Sequence, residues 1–186
     1  MKHLGLIEGK RACIVLIDPQ ERLMAAVHRP ERVIKNSNLL AKAAEVYSVP
    51  VIATTQYKKG LGPIVDDIKL PETGVHHVDK TEFNCFYNQE FQRVVSQLPA
   101  SMDTLILAGV ETHICIFQTA VASVQRGFNT WVAIDATSSR NKKNIKLARS
   151  LMNTNGIYCA PTETIIYQII KKAGTSQFKA LLEYLK

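Results

Sequence analysis

The most informative stretch of this chain is residues 104–115, which read TLILAGVETHIC. The apolar run at the start is typical of a strand that is buried on both faces, and residues 116–126 continue with a helical pattern. Cys115 then lies in the first turn of a helix, where unpaired N–H groups and the helix dipole favour a thiolate. The same amides can stabilise a developing oxyanion. Although a lone cysteine is more often an inert apolar side chain, we interpret Cys115 as the nucleophile of a hydrolytic site.

The whole chain, residues 1–186, is expected to form a single domain, because this length is sufficient for one hydrophobic core. No apolar run approaches 18 residues and the N-terminus leaves no room for a signal peptide, so we expect a cytoplasmic protein that is not in a membrane. Mitochondrial association stays open, without a clear presequence. The cysteines form no Cys-x-x-Cys pair, which argues against a zinc site or a disulfide framework. They are Cys13, Cys85, Cys115 and Cys159.

Short β-rich runs alternate with longer helical segments, which predicts an α/β fold with helices on both faces of a mostly parallel sheet. The predicted strands are residues 12–17, 49–54, 75–78, 104–108, 130–134 and 157–159. The predicted helices are residues 31–47, 88–97, 113–126, 142–153, 162–172 and 176–185. We therefore expect a three-layer α/β/α domain with a six-stranded, Rossmann-like sheet.

Chemically interesting residues gather at one edge of this predicted sheet. Ligands of open α/β sheets bind beyond the carboxyl ends of the strands, and Asp18, Lys80 and Cys115 each stand at or just after such an end. A carboxylate near a thiol can accept its proton, and an ammonium group keeps that carboxylate charged. No histidine is obviously placed as the base, since His113 lies two residues from Cys115 and so on a different helix face.

Three motifs, in order, resemble those of the isochorismatase-like cysteine hydrolases, a superfamily that includes the nicotinamidases. They are LIDPQ at residues 16–20, KTEFNCF at 80–86 and AGVETHIC at 108–115. The resemblance implies that Asp18 is the general base, Lys80 its electrostatic partner and Cys115 the nucleophile. It also implies a cis peptide bond between Val110 and Glu111, with the amides of Glu111 and Cys115 as the oxyanion hole. The implied reaction is attack on a small amide or related carbonyl, a thioester intermediate, and hydrolysis.

The residues beside these motifs also give predictions about the substrate pocket and about metal binding. Nicotinamidases carry an Asp-x-His metal motif after the second strand, but residues 54–62 here read TTQYKKGLG. We therefore expect no metal and no other cofactor. The substrate itself is left open. Candidate substrate-binding residues are Gln20, Gln56, Tyr57, Phe83, Phe86 and His113.

A narrower resemblance covers residues 54–62, 109–116 and 135–140, which are similar to isochorismatase domain-containing proteins 1 and 2 and their relatives. Some of those relatives have been labelled mitochondrial-associated ribonucleases, and they commonly form dimers or larger assemblies. We expect a homo-oligomer by that resemblance. The motifs do not identify the physiological substrate.

Two alternatives to a hydrolase remain open. The net charge is +7, and much of the excess lies in residues 140–149, so the protein could bind or process nucleic acid. No aromatic residues interleave this run as a stacking platform requires. The other alternative is a non-catalytic interaction scaffold. The basic cluster consists of Arg140, Lys142, Lys143, Lys146 and Arg149.

Overall fold

The computed structural model describes residues 5–185, and its centre is a sheet of six parallel strands. The strands are β1 (Ala12–Ile17), β2 (Val51–Gln56), β3 (Val75–Lys80), β4 (Thr104–Val110), β5 (Asn129–Ser138) and β6 (Tyr158–Ala160). Their order across the sheet is β3-β2-β1-β4-β5-β6. The helices are α1 (Glu21–Met24), α2 (Pro30–Tyr47), α3 (Lys58–Leu61), α4 (Gln89–Gln97), α5 (Phe117–Gln125), α6 (Lys142–Thr154), α7 (Thr162–Ile170) and α8 (Ser176–Leu181).

Helices cover both faces of this sheet, which confirms the predicted α/β fold. The alternation of side chains along each strand divides the core in two. In β1, Ile14 and Leu16 pack with α2, α7 and α8, whereas Cys13, Val15 and Ile17 pack with α4, α5 and α6. Every residue of β1 is buried, as expected for a parallel strand with helices on both sides. No helix of residues 5–185 has the length and apolarity needed to cross a bilayer.

Most predicted elements are present, with ends that differ by a few residues, but β5 is much longer than predicted. The run 135–138 reads as a loop because Asp and Ser favour turns. In the structure its polar groups are satisfied by tertiary hydrogen bonds: Asp135 Oδ1 accepts from Thr162, and Thr112 Oγ1 donates to Thr137 Oγ1. The extension becomes possible after a shift in the β4–β5 register between Leu107 and Gly109.

The backbones of β1 and β4 approach each other closely at Gly109. This residue is paired with Ile17, has a φ of +112°, and a Cβ built on it would lie 2.0 Å from the Ile17 carbonyl oxygen. A backbone atom cannot move aside as a flexible side chain can. Only glycine therefore fits at this position, which lies directly below the two chain segments that follow β1 and β4.

We expect Gly109→Ala to lower the free energy of unfolding by about 3 kcal/mol or more, since backbone strain and a backbone clash add. Urea unfolding measures this change. Gly74→Ala is the matched control, because Gly74 also has a positive φ, +74°. A Cβ added there would meet no atom of residues 5–185 within 4 Å beyond its chain neighbours. The cost of Gly74→Ala should therefore be about 1 kcal/mol. Equal destabilisation by the two substitutions would contradict the close-contact argument.

Candidate active site

A buried ion pair lies at the carboxyl ends of β1 and β3. Asp18 follows β1 with a φ of +52°, and Lys80 is the last residue of β3. Lys80 Nζ lies 2.6 Å from Asp18 Oδ2, and both side chains are completely buried. The hydroxyl of Thr54, on β2, donates to Asp18 Oδ1 at 2.6 Å. The pair is therefore held by three adjacent strands, and both carboxylate oxygens have a donor.

Two glutamines hold this arrangement in place. Gln56 Oε1 accepts from Lys80 Nζ at 2.8 Å, and its Nε2 donates to the Thr81 carbonyl at 2.6 Å. Gln20 Oε1 accepts a hydrogen bond from the backbone N–H of Gln56 at 2.7 Å. Its Nε2 donates to the backbone carbonyls of Gln56 and Gly62. Gln20 is fully buried. Placement beside the motifs predicts both glutamines as substrate contacts. In the structure, their side-chain amide groups form hydrogen bonds to other residues of the protein.

The charge of Lys80 is stabilised by its neighbours. Burial alone lowers the pKa of Lys80, but the Asp18 carboxylate, with the thiols of Cys85 and Cys115, raises it above its ordinary value. Lys80 is therefore protonated at neutral pH. Its positive charge therefore lies directly beside the Asp18 carboxylate.

The segment that carries Cys115 is a π-helical turn, Thr112–Ile116, directly before α5. The Glu111 carbonyl accepts from the amides of Ile114 and Ile116, and the bond from Ile116 spans five residues. The sequence predicts the ordinary first turn of an α-helix here. Local wide turns of this kind are frequent at functional sites. Cys115 is 6% exposed, so its side chain is almost enclosed.

The structure contradicts the expectation that helix-terminal amides hold Cys115 as a thiolate. Burial raises the pKa of Cys115 above its ordinary value, and the Asp18 carboxylate raises it further by its charge and its hydrogen bond, while Lys80 opposes this effect. The neutral thiol is therefore the favoured form of Cys115, and a thiol must lose its proton to act as a nucleophile.

Cys85 is a second buried thiol in this cluster, and the sequence pattern does not predict it there. Burial raises its pKa to about 12, while the nearby charge of Lys80 opposes that rise. The Cys85 amide donates to Thr119 Oγ1 at 3.1 Å, and Thr119 lies four residues after Cys115. This contact fixes the Lys80-to-Cys85 loop against the helix that follows the nucleophile candidate. Only the position of Cys85 within the KTEFNCF motif hints at this proximity.

Glu111 is held by Arg140, which follows β5. The Arg140 amide donates to Glu111 Oε2 at 2.9 Å, and Nε lies 3.1 and 3.2 Å from the two carboxylate oxygens. Glu111 is buried, whereas the Arg140 side chain is largely exposed. The Val110–Glu111 peptide bond is cis, as the resemblance implies. Arg140 is therefore paired with a residue of this site, unlike the other four cations of the predicted basic cluster, for which no ion pair is found within residues 5–185.

The other predicted pocket residues have different surroundings. Tyr57 and Phe83 are about half exposed, which leaves them free to contact a ligand. Phe86 is 2% exposed and packs edge-on against Phe91, with ring centroids 5.1 Å apart, so the structure places it in the core and not at an accessible surface. His113 is partly buried, and its Nδ1 is 2.9 Å from Ser139 Oγ.

No group of three or more His, Cys, Asp or Glu side chains within residues 5–185 is arranged to hold a metal ion. His76 and His77 lie on the edge strand β3 and are exposed. Where nicotinamidases carry the carboxylate of their metal motif, this chain has the segment that contains Gln56. The side-chain oxygen of Gln56 accepts a hydrogen bond from Lys80. The donor set around Lys80 therefore does not suit a divalent cation, which prefers carboxylate or imidazole ligands.

Comparison with known proteins identifies the family. Residues 12–164 match the family model of the isochorismatase domain. The chain belongs to the isochorismatase family. This match includes all three motifs, and it confirms the resemblance inferred from them. The isochorismatase-family fold is consequently the setting in which Asp18, Lys80 and Cys115 come together.

Individual relatives agree with this assignment. Isochorismatase domain-containing protein 2 of Rattus norvegicus is 33% identical over 183 residues, covering 98% of this chain and 85% of the rat protein. The structure of MAR1 ribonuclease from Caenorhabditis elegans has a TM-score of 0.89 at 28% identity, covering 97% and 92% of the two chains. The YcaC gene product of Escherichia coli, described as an octameric hydrolase of unknown specificity, has a TM-score of 0.86 at 22% identity, covering 100% and 95%. That last similarity shows the shared fold.

Proposed function

We propose that this isochorismatase-family protein is a metal-independent cysteine hydrolase that acts on a small amide or related carbonyl compound. The observation that carries the proposal is the buried Lys80–Asp18 ion pair beside the Cys115 thiol. Burying two charges is costly, and this pair lies near enough to the turn after β4 for its carboxylate to raise the pKa of the Cys115 thiol. A general base close to a nucleophile is the minimum requirement for this kind of covalent catalysis.

In the proposed reaction, Cys115 Sγ attacks the substrate carbonyl carbon while Asp18 takes the thiol proton. The backbone amides of Glu111 and Cys115 stabilise the resulting oxyanion. When the tetrahedral intermediate collapses, the carbon–nitrogen bond breaks and the amine leaves with the proton from Asp18. A water molecule then gives a proton to Asp18 and attacks the thioester, which releases the carboxylic acid and returns the proton to sulfur.

The surroundings of Asp18 fit this role of a base that is used twice. Lys80 and Thr54 hold one carboxylate oxygen each, so the carboxylate has a fixed orientation toward the thiol. After proton transfer the Lys80 ammonium remains near the site and favours the negatively charged sulfur and oxyanion. Gln56 fixes Lys80, and Arg140 fixes the side chain of Glu111. These residues are positioning groups in the proposal.

The proposal predicts a burst with the acyl donor p-nitrophenyl acetate. We expect one equivalent of p-nitrophenolate per chain to appear faster than steady-state turnover, with the acetyl group on the peptide that contains Cys115. Stopped-flow absorbance and peptide mass spectrometry measure the two quantities. Cys159→Ser is the matched control and should keep the burst, because Cys159 is a partly exposed thiol outside the site. Acetylation confined to Cys159, or no thiol acetylation, would rule out Cys115 as nucleophile.

A second candidate function is ribonuclease activity, which the similarity to the Caenorhabditis elegans MAR1 ribonuclease favours. Four cations of the basic cluster, those on α6, are available on the surface for phosphate contacts, while Arg140 is paired with Glu111. A homo-oligomer is also part of our proposal, in keeping with the octameric YcaC gene product. Neither idea changes the proposed roles of Asp18, Lys80 and Cys115.

A further inference from the structure

A cleft with three basic side chains lies between the start of α2 and the outer face of α6. Its volume is about 370 Å³, and residues of β5 form its floor. Lys146 and Arg149 are three residues apart on α6 and so lie on one helix face, while Arg32 faces them from α2. Six residues line the cleft: Arg32, Ile134, Asp135, Ile145, Lys146 and Arg149.

The three cations of this cleft are not neutralised by carboxylates of the described chain. None of them forms an ion pair within residues 5–185. The guanidinium of Arg32 donates from Nη2 to the Thr137 carbonyl at 3.0 Å, but its Nε is buried without a hydrogen-bond partner in that part of the chain. The guanidinium of Arg32 therefore makes few hydrogen bonds within the described chain, and its charge remains available to an anion in the cleft.

The single carboxylate of the cleft, Asp135, is already engaged. Its Oδ1 accepts from the Thr162 amide at 2.7 Å and from the Thr162 hydroxyl at 2.6 Å, and its carbonyl accepts from Asn36. Three cations and one carboxylate leave an excess of two positive charges. A phosphomonoester carries about −1.5 to −2 at neutral pH and has oxygens that match the paired donors of a guanidinium.

We propose that this cleft is a binding site for a small phosphorylated molecule, held by Arg32, Lys146 and Arg149. A small ligand fits the observations better than a nucleic-acid strand, because the site is concave and its lining contains no aromatic side chain for base stacking. The site is also connected to the nucleophile segment: Arg32 contacts the Thr137 carbonyl, and Thr112 donates to the Thr137 hydroxyl at 3.0 Å. Neither contact depends on the hydrolase proposal.

The test is isothermal titration of the full chain with glycerol 3-phosphate and, separately, inorganic phosphate in a Tris chloride buffer at constant ionic strength. We expect saturable one-site binding of at least one of them. Arg149→Gln and Lys146→Gln should each weaken it about tenfold, the loss of one charge-assisted hydrogen bond. Lys143→Gln is the matched control on the same helix but outside the lining, and it should change affinity less than twofold.

Several results would overturn this inference. The first is an absence of saturable binding by both probes, and the second is equal weakening by Lys143→Gln and Arg149→Gln, which indicates only diffuse attraction to a basic helix. The third comes from fluorescence anisotropy with a short oligouridylate. If RNA binds more tightly than glycerol 3-phosphate, and Lys143→Gln weakens that binding as much as Arg149→Gln, the surface serves nucleic acid. Arg32→Gln is not needed for the decision, since it also removes the contact with Thr137.

Discussion

Cys115→Ala should lower turnover of an identified substrate by at least about a thousandfold, the scale on which removal of a covalent nucleophile acts. The fold should survive, because the substitution removes one sulfur atom from a site whose other members keep their hydrogen bonds; we expect a cost of about 1 kcal/mol. Steady-state kinetics and thermal unfolding of the same preparation measure the two effects. Substrate binding should persist, so that kcat falls and KM changes little.

Cys13→Ala is the control for this experiment. Cys13 is fully buried near the start of β1, away from the carboxyl ends of the strands where Asp18 and Lys80 lie, so we expect it to take no part in chemistry. Its replacement should change stability by a similar amount and leave kcat unchanged. If Cys115→Ala keeps wild-type turnover, covalent catalysis at this residue is excluded. If the two variants lose activity equally, the loss comes from instability and not from chemistry.

Lys80→Met should lower the free energy of unfolding by about 3–5 kcal/mol, because it leaves the Asp18 charge buried without its partner. Activity should fall as well, since the Asp18 carboxylate loses the ammonium group that holds one of its oxygens in place. Denaturant unfolding gives the first quantity. Steady-state kcat/KM at neutral pH gives the second.

The double variant Asp18→Asn/Lys80→Met separates stability from catalysis. Removing both charges of a buried pair is often nearly neutral, so the double variant should recover most of the lost stability but none of the activity. Recovery of turnover would contradict the role of Asp18 as the base. A full loss of stability in the double variant would show that hydrogen bonds, and not the unpaired charge, dominate the cost.

The alkaline range gives an independent check on Lys80. Because its folded-state pKa is raised, its contribution to stability is complete below the unfolded value of about 10.4 and is lost as the pH rises through the folded value. The stability difference between wild type and Lys80→Met should therefore stay constant through neutral pH and shrink only in strong alkali.

Much of the architecture can be predicted from sequence because periodicity and motif order are local properties. The apolar run of β1 and the run before Gly109 are buried strands in the structure, as their composition indicates. Asp18, Lys80 and Cys115 can be predicted for the same reason: each stands at a strand end, and parallel strands bring their carboxyl ends to one edge. The observed contact between Lys80 and Asp18 agrees with that placement.

The remaining details depend on tertiary contacts that no local pattern encodes. Thr54 is not recognisable as a donor to Asp18, because a threonine near the end of an apolar strand looks like an ordinary β-former. Gln56 looks like a substrate contact, but its amide is taken by Lys80. Arg140 looks like part of a solvated charge run, but the structure pairs it with Glu111. In each case the partner lies at least 24 residues away.

The raised pKa of Cys115 is a similar case. A cysteine after a strand predicts an activated thiolate when only the helix terminus is considered. The enclosure of the side chain and the neighbouring carboxylate outweigh that effect, and neither is visible until Asp18 is placed beside the sulfur. The sequence pattern thus identifies the residue but predicts the wrong protonation state.

The close approach at Gly109 has one more consequence. Ile17 and Gly109 meet backbone to backbone, and each is one or two residues from a member of the candidate site, Asp18 on one side and Glu111 on the other. At Gly109 no side chain separates the backbones of the two strands. Asp18 and the segment that carries Cys115 are thereby joined as rigidly as the sheet itself, and their spacing persists as long as the sheet is folded.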